Sequence, residues 1–248
     1  MSYIIGAIYA TKYIGTRKMA QRFFEILKEA NMEPDKIGLY EPVKKLYTIE
    51  KAIDMWVFGD EPGPEAAGGM LGVRKQPPNY TFDIGWARGP LAVPNDVTFF
   101  FSPKVFAKHR NIIEHIFKET YHLFDGFYGY ITHNRPESRQ HVTGSIKTRI
   151  PGLFWCNYFS PLYVDFFGRE KILSGPWVKT EELDSGTIVT YLAGEPDKEI
   201  LESDFFEKRA KEHLGIESFG DPEEGEKNPD EIQIRKVPAI VIPEVRGE

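Results

Sequence analysis

The sequence predicts an α+β fold, a single domain with a mixed or antiparallel sheet and about four helices packed on it. Three observations carry the prediction. Strand-length apolar runs at 68–73, 80–87 and 97–101 follow one another with only Pro and Gly clusters between them. Stretches with helical periodicity stand before and after that group rather than between its members, which points to α+β and not to a regular βαβ array. Arg149–Lys171 (RIPGLFWCNYFSPLYVDFFGREK) is crowded with rings. Each ring removes roughly 150–250 Å² from water when buried, so this segment should anchor a core.

Tyr3–Ala10 is an apolar run of strand length with no basic residue before it. A secretory signal needs a positive n-region, so we read the run as a first strand. Thr16 can cap a helix whose Met19, Ala20, Phe23, Phe24 and Leu27 share one face, and Pro34 follows it. Lys36–Tyr40 reads as a short strand. Thr48 opens a second helix bearing Ile49, Ala52, Ile53, Trp56 and Val57 on one side, and Asp60 begins a loop. In the 80–87 strand Phe82, Ile84 and Trp86 alternate with polar or small residues, which gives that strand one wet face.

Ser102-Pro103 starts the clearest helix, since Ser suits the N-cap and Pro the first helical position. Its stripe runs from Val105 and Phe106 to Ile116, Phe117 and Phe124, and Gly126 stops it. Phe127–Thr132 reads as a strand and His133–Gly144 as a polar loop. Within the aromatic segment, 153–159 reads as a buried strand and 162–167 as a short helical or extended return. Trp177–Leu183 and Thr187–Leu192 read as strands turning at Asp184-Ser-Gly186. Asp204, with Glu207 three residues on, suggests a capping box for a last helix ending at Gly215. Residues 221–231 read as an exposed acidic loop, and 232–248 as a C-terminal extended segment, either an edge strand or a tail that docks back.

At 248 residues, with 41% hydrophobic and 27% charged residues, the chain is long enough to bury roughly 70% of its unfolded surface without staples. One cysteine, Cys156, rules out an internal disulfide and fits a cytoplasmic location. No run reaches the roughly 18–20 apolar residues of a membrane helix, so no membrane partner is expected. The net charge of −6 argues against nucleic acid. Glu195–Glu231 alone holds 14 acidic and 5 basic residues, so negative charge concentrates in the last helix and the loop after it. Such a patch steers basic partners.

Candidate chemistry is thin. Gly68-Gly-Met-Leu-Gly72 runs into Arg74-Lys-Gln-Pro-Pro78 rather than into a helix N-terminus, so a turn or bulge is expected there, not a phosphate cradle. His115, Glu119 and His122 fall on the polar side of their helix, and seven residues separate the two histidines by about 10 Å. No metal or cofactor is expected. Cys156 with His133 or His141 is the best catalytic set available, yet its neighbours Trp155, Asn157 and Tyr158 suggest a packed thiol. Asp165 and Glu170 are read as capping residues or as partners of Arg169 and Lys171. Glu223, Glu224 and Glu226 in the acidic loop, and Arg135 and Arg139 in the polar loop, are candidates for contact with a protein partner.

Arg149-Ile-Pro-Gly-Leu-Phe-Trp155, Asn157-Tyr-Phe-Ser-Pro161 and Tyr163-Val-Asp-Phe-Phe-Gly-Arg-Glu-Lys171 resemble the immunity protein 52 family of bacterial polymorphic-toxin systems. Trp56, the 68–73 strand, Phe82-Asp-Ile-Gly-Trp86, Leu214-Gly215 and Phe219 fall in a similar order. The resemblance implies a cytoplasmic inhibitor that binds a cognate toxin domain stoichiometrically and carries no catalytic residues. The acidic region would then favour a basic toxin. The alternatives are an enzyme of unknown type using Cys156, or a structural subunit of a phage or secretion assembly.

Overall fold

A computed structural model describes residues 2–57, 67–87, 94–141, 146–196, 204–220 and 235–241. Contacts gather into two compact units, essentially Tyr3–Gly126 and Phe127–Ile240.

In the first unit the chain runs β1 (Ile4–Ala10), α1 (Arg17–Glu29), β2 (Lys36–Gly38), β3 (Lys45–Leu46), α2 (Ile49–Trp56), β4 (Ala67–Arg74), β5 (Tyr80–Ala87), β6 (Asn95–Phe101) and α3 (Pro103–Leu123). The strands lie in the order β3-β2-β4-β5-β6-β1, every neighbour antiparallel. The helix starts follow the capping rules. Thr16 accepts from the Met19 N–H, Thr48 from Lys51 and Ser102 from Val105, each satisfying a donor the helix cannot. The α3 stripe is interrupted at His109, whose backbone leaves helical geometry.

One face of this sheet meets the helices. Phe23 of α1 packs against Phe82 of β5, Trp56 of α2 and Phe124 after α3, with ring centroids 5.4, 5.4 and 6.0 Å away. The glycine-rich run is neither turn nor bulge. It lies within β4, and a Cβ at Gly72 would sit 2.1 Å from the Phe82 ring, so only glycine lets that ring lie over the strand.

The second unit contains β7 (Tyr128–His133), α4 (Asn134–Gln140), β8 (Cys156–Phe159), α5 (Pro161–Phe167), α6 (Arg169–Leu173), β9 (Lys179–Glu182), β10 (Ile188–Tyr191), α7 (Phe205–Leu214) and a 3-10 turn at Ile216–Ser218. Its strands are ordered β7-β8-β10-β9, again antiparallel. The aromatic segment is its core. Tyr128 lies 5.3 Å from Tyr163, Phe159 lies 6.0 Å from Phe167, and Trp155 lies 5.4 Å from Tyr191.

The α+β class and the antiparallel pairing are those expected. The described residues hold seven α-helices rather than about four. The polar loop expected from His133 is helical over 134–140. The strand expected over 153–159 begins only at Cys156, because side chains take the backbone groups before it. Gln140 accepts from the Leu153 N–H at 3.0 Å and donates to its carbonyl at 2.7 Å, while Asn157 does the same for Phe154, both at 2.8 Å. Residues 235–241 form no strand. They dock back through the Arg235 N–H on Thr148 O at 2.7 Å.

Candidate functional site

Cys156 is fully buried in β8, between Ile131 and Tyr191 in register. A thiol with no exposed surface has no path to substrate, so the structure places it as packing. His133 is also buried, and its ring is spoken for. Nδ1 accepts the Arg135 N–H at 3.1 Å, capping α4, and Nε2 lies 2.6 Å from Ser2 Oγ. His141 is exposed at the end of α4. Cys156 and His133 are thus both closed to solvent, and only His141 is open to it. His115 and His122 are exposed on α3, and no group of three or more metal-ligating side chains occurs among the described residues.

Of the partner-contact candidates, Glu223, Glu224 and Glu226 lie outside the described residues. Arg135 is exposed on α4. Arg139 is half-buried. It forms an ion pair with Glu207 of α7, whose side chain is only 4% exposed. Glu207 therefore closes no capping box, and Asp204 makes no side-chain cap bond. Burial raises the Glu207 pKa and the Arg139 guanidinium opposes the rise. Burial also pushes Lys211, one turn on, down to about 8. Part of the acidic charge expected at the surface is thus internal.

Two groups that the sequence did not single out stand on the sheet face of the first unit away from α1. Thr81, Asp83 and Gly85 of β5 alternate with the inward Phe82, Ile84 and Trp86, so the wet face holds Asp83. In β6 the same face holds Asp96, opposite Gly85, and Thr98, opposite Asp83. Asp83 and Asp96 are therefore diagonal neighbours, about 7–8 Å apart at the backbone. A Cβ on Gly85 would lie 3.1 Å from Asp96 Oδ1, so the carboxylate leans over the glycine. Neither aspartate has an ion pair among the described residues. Burial pushes Asp83 up to about 6, and burial followed by repulsion from Asp83 pushes Asp96 up to about 7. The alternation in β5 announced a wet face. That the two carboxylates would meet, 13 positions apart in sequence, depended on register.

A second surface has the opposite sign. A cavity of about 1130 Å³ opens beside the start of α1, with Lys12, Arg17, Lys18 and Arg22 around it and Tyr13, Val57 and Leu123 among its walls. Arg17 is bound to Asp54 at 2.8 Å and Arg22 to Glu29 at 2.9 Å, which leaves Lys12 and Lys18 as its unneutralised charges among the described residues.

The sequence matches no family model, and no curated protein matches it. Among solved structures the fold is shared with a Pseudomonas aeruginosa T6SS protein, PA0821. The TM-score is 0.58 at 12% identity, over 96% of this chain and 79% of that one. At that identity the likeness is one of fold. No described helix is long and apolar enough to cross a membrane.

Proposed function

We propose that this protein is an immunity protein that binds and neutralises a cognate bacterial toxin by stoichiometric protein–protein inhibition in the cytoplasm of the cell that makes both. The observation that carries the reading is the fold likeness to a T6SS protein across 96% of the chain. The burial of Cys156 in packing supports it. The toxin domain is basic in this reading, met by Glu223, Glu224 and Glu226 with Arg135 at the margin. Arg139 leaves the contact set because Glu207 holds it. Opposite charge across such an interface speeds association more than it deepens affinity.

The test is coexpression with the toxin domain encoded beside this gene. Relief of growth arrest and a 1:1 complex by light scattering are expected. Reversing the charge of Glu223, Glu224 and Glu226 together should slow association and flatten its salt dependence. Failure to form the complex would end the inhibitor reading, and unchanged association kinetics would end its electrostatic part. The same likeness in fold favours a second reading, a structural subunit of a secretion assembly. Self-assembly of the purified chain into higher oligomers, with no toxin complex, would select that one.

A further inference from the structure

β4 is only half covered. It pairs with β5 along all eight residues, Ala67–Arg74, but on its other side β2 reaches only Leu71–Val73. After Gly38 the chain leaves β4 and turns towards β3, so Ala67–Met70 has no strand on that side among the described residues. Beside this stretch the structure has a cavity of about 360 Å³, lined by Leu39 and Tyr40 after β2, by Gly68, Gly69 and Met70 of β4, and by Ile84 of β5. Two glycines on the β4 wall put no side chain into the gap. Tyr40 stands at its rim 80% exposed, and Leu46 on neighbouring β3 is 68% exposed.

A row of backbone donors and acceptors without partners on a sheet edge is a template for another strand. Proteins use such edges for recognition, with main-chain hydrogen bonds giving affinity and pockets selecting alternate side chains. We propose that the Ala67–Met70 edge of β4 takes an extended segment of a partner protein as an added strand, with an apolar side chain of that segment seated in the gap beside Tyr40. This rests on the reading that the chain works by binding a protein. The free stretch spans about 13 Å at roughly 3.3 Å per residue. At a spacing of roughly 4.8 Å between strands, that edge covers on the order of 60 Å² on each side, far short of the roughly 1,000 Å² an independent dimer interface needs. The edge therefore suits an anchor within a larger heterologous contact, not self-association.

The test needs no toxin. Octapeptides are selected from a displayed random library against the folded full-length protein, and amide exchange is followed by NMR. In the free protein, the amides of Ala67–Met70 that point away from β5 should exchange at least a hundredfold faster than those of Leu71–Val73. Bound peptides should protect those same amides. Ala67→Pro and Gly68→Pro are made in turn. Strand alternation means that one removes a donor aimed at the gap and the other a donor aimed at β5, and melting tells which is which. The variant that melts like the native protein, and Tyr40→Ala, should each weaken peptide binding tenfold or more. Slow exchange at those amides in the free protein would overturn the proposal. So would peptides that protect other amides, undiminished binding to the variants, or a selection that yields nothing. A dimer that the proline variant dissociates would replace the partner with a second copy. A failed toxin complex bears on the inhibitor reading alone, because the peptide experiment does not use it.

Discussion

Replacing Asp96 with Asn should stabilise the protein, and only above acidic pH. The carboxyl lies on the outer sheet face over Gly85, diagonal to Asp83, and its pKa is raised from 3.8 to about 7 by burial and then by Asp83. A raised carboxyl pKa means that the folded state binds the proton more tightly than the unfolded one. Stability is therefore lost as pH climbs from about 4 to about 7 and stays lost above it. Roughly three pKa units at 1.36 kcal/mol each set a ceiling of about 4 kcal/mol. The side chain keeps some water and shares its shift with Asp83, so about 1–3 kcal/mol is the expected gain for Asp96→Asn at pH 8. For a chain this long that is a rise of roughly 3–10 °C in melting temperature. Thermal and urea melts at pH 8 and pH 4 check it. The gain should be full at pH 8 and nearly absent at pH 4, where the native carboxyl is protonated too. An equal gain at both pH values, or none at pH 8, would refute the account of Asp96 as a buried charge in want of a partner.

Three further outcomes follow from the second unit. Arg139→Ala should lower stability by about 2–3 kcal/mol in urea, because it leaves Glu207 buried without its main counter-ion, and adding Glu207→Gln should recover part of the loss; a fully stable Arg139→Ala that binds its partner poorly would return Arg139 to the contact surface. Tyr163→Phe should be neutral or stabilising by about 1 kcal/mol, since its hydroxyl is buried with no hydrogen-bond partner among the described residues and burial drives its pKa up. A clear loss of stability in melts of that variant would show that the hydroxyl is satisfied. The Cys156 thiol should resist a disulfide reagent in the native protein and react at once in urea. Fast native labelling would revive the enzyme alternative.

Local chemistry was legible. Thr16, Thr48 and Ser102 announced the helix starts because a cap needs only its own next three residues. Phe82, Ile84 and Trp86 announced the buried face of β5 because side-chain alternation is built into a strand. The ring-rich segment announced a core, and Tyr128, Tyr163, Phe159 and Phe167 are packed there. The helix at 134–140 was not legible. It has no apolar stripe, and its support comes from outside: the His133 ring caps it, and Gln140 grips the backbone of Leu153.

The sequence by itself determined which stretches can be helix or strand, which face of each is apolar, and that the densest rings lie inside, since these depend on neighbours a few positions away. Only the tertiary structure decided that Glu207 meets Arg139 across 68 positions, that Asp83 and Asp96 share a face, and that β2 stops short of the first half of β4. Those outcomes depend on strand register and on where a chain turns away, and both are fixed by the packing of the whole unit and not by the residues concerned.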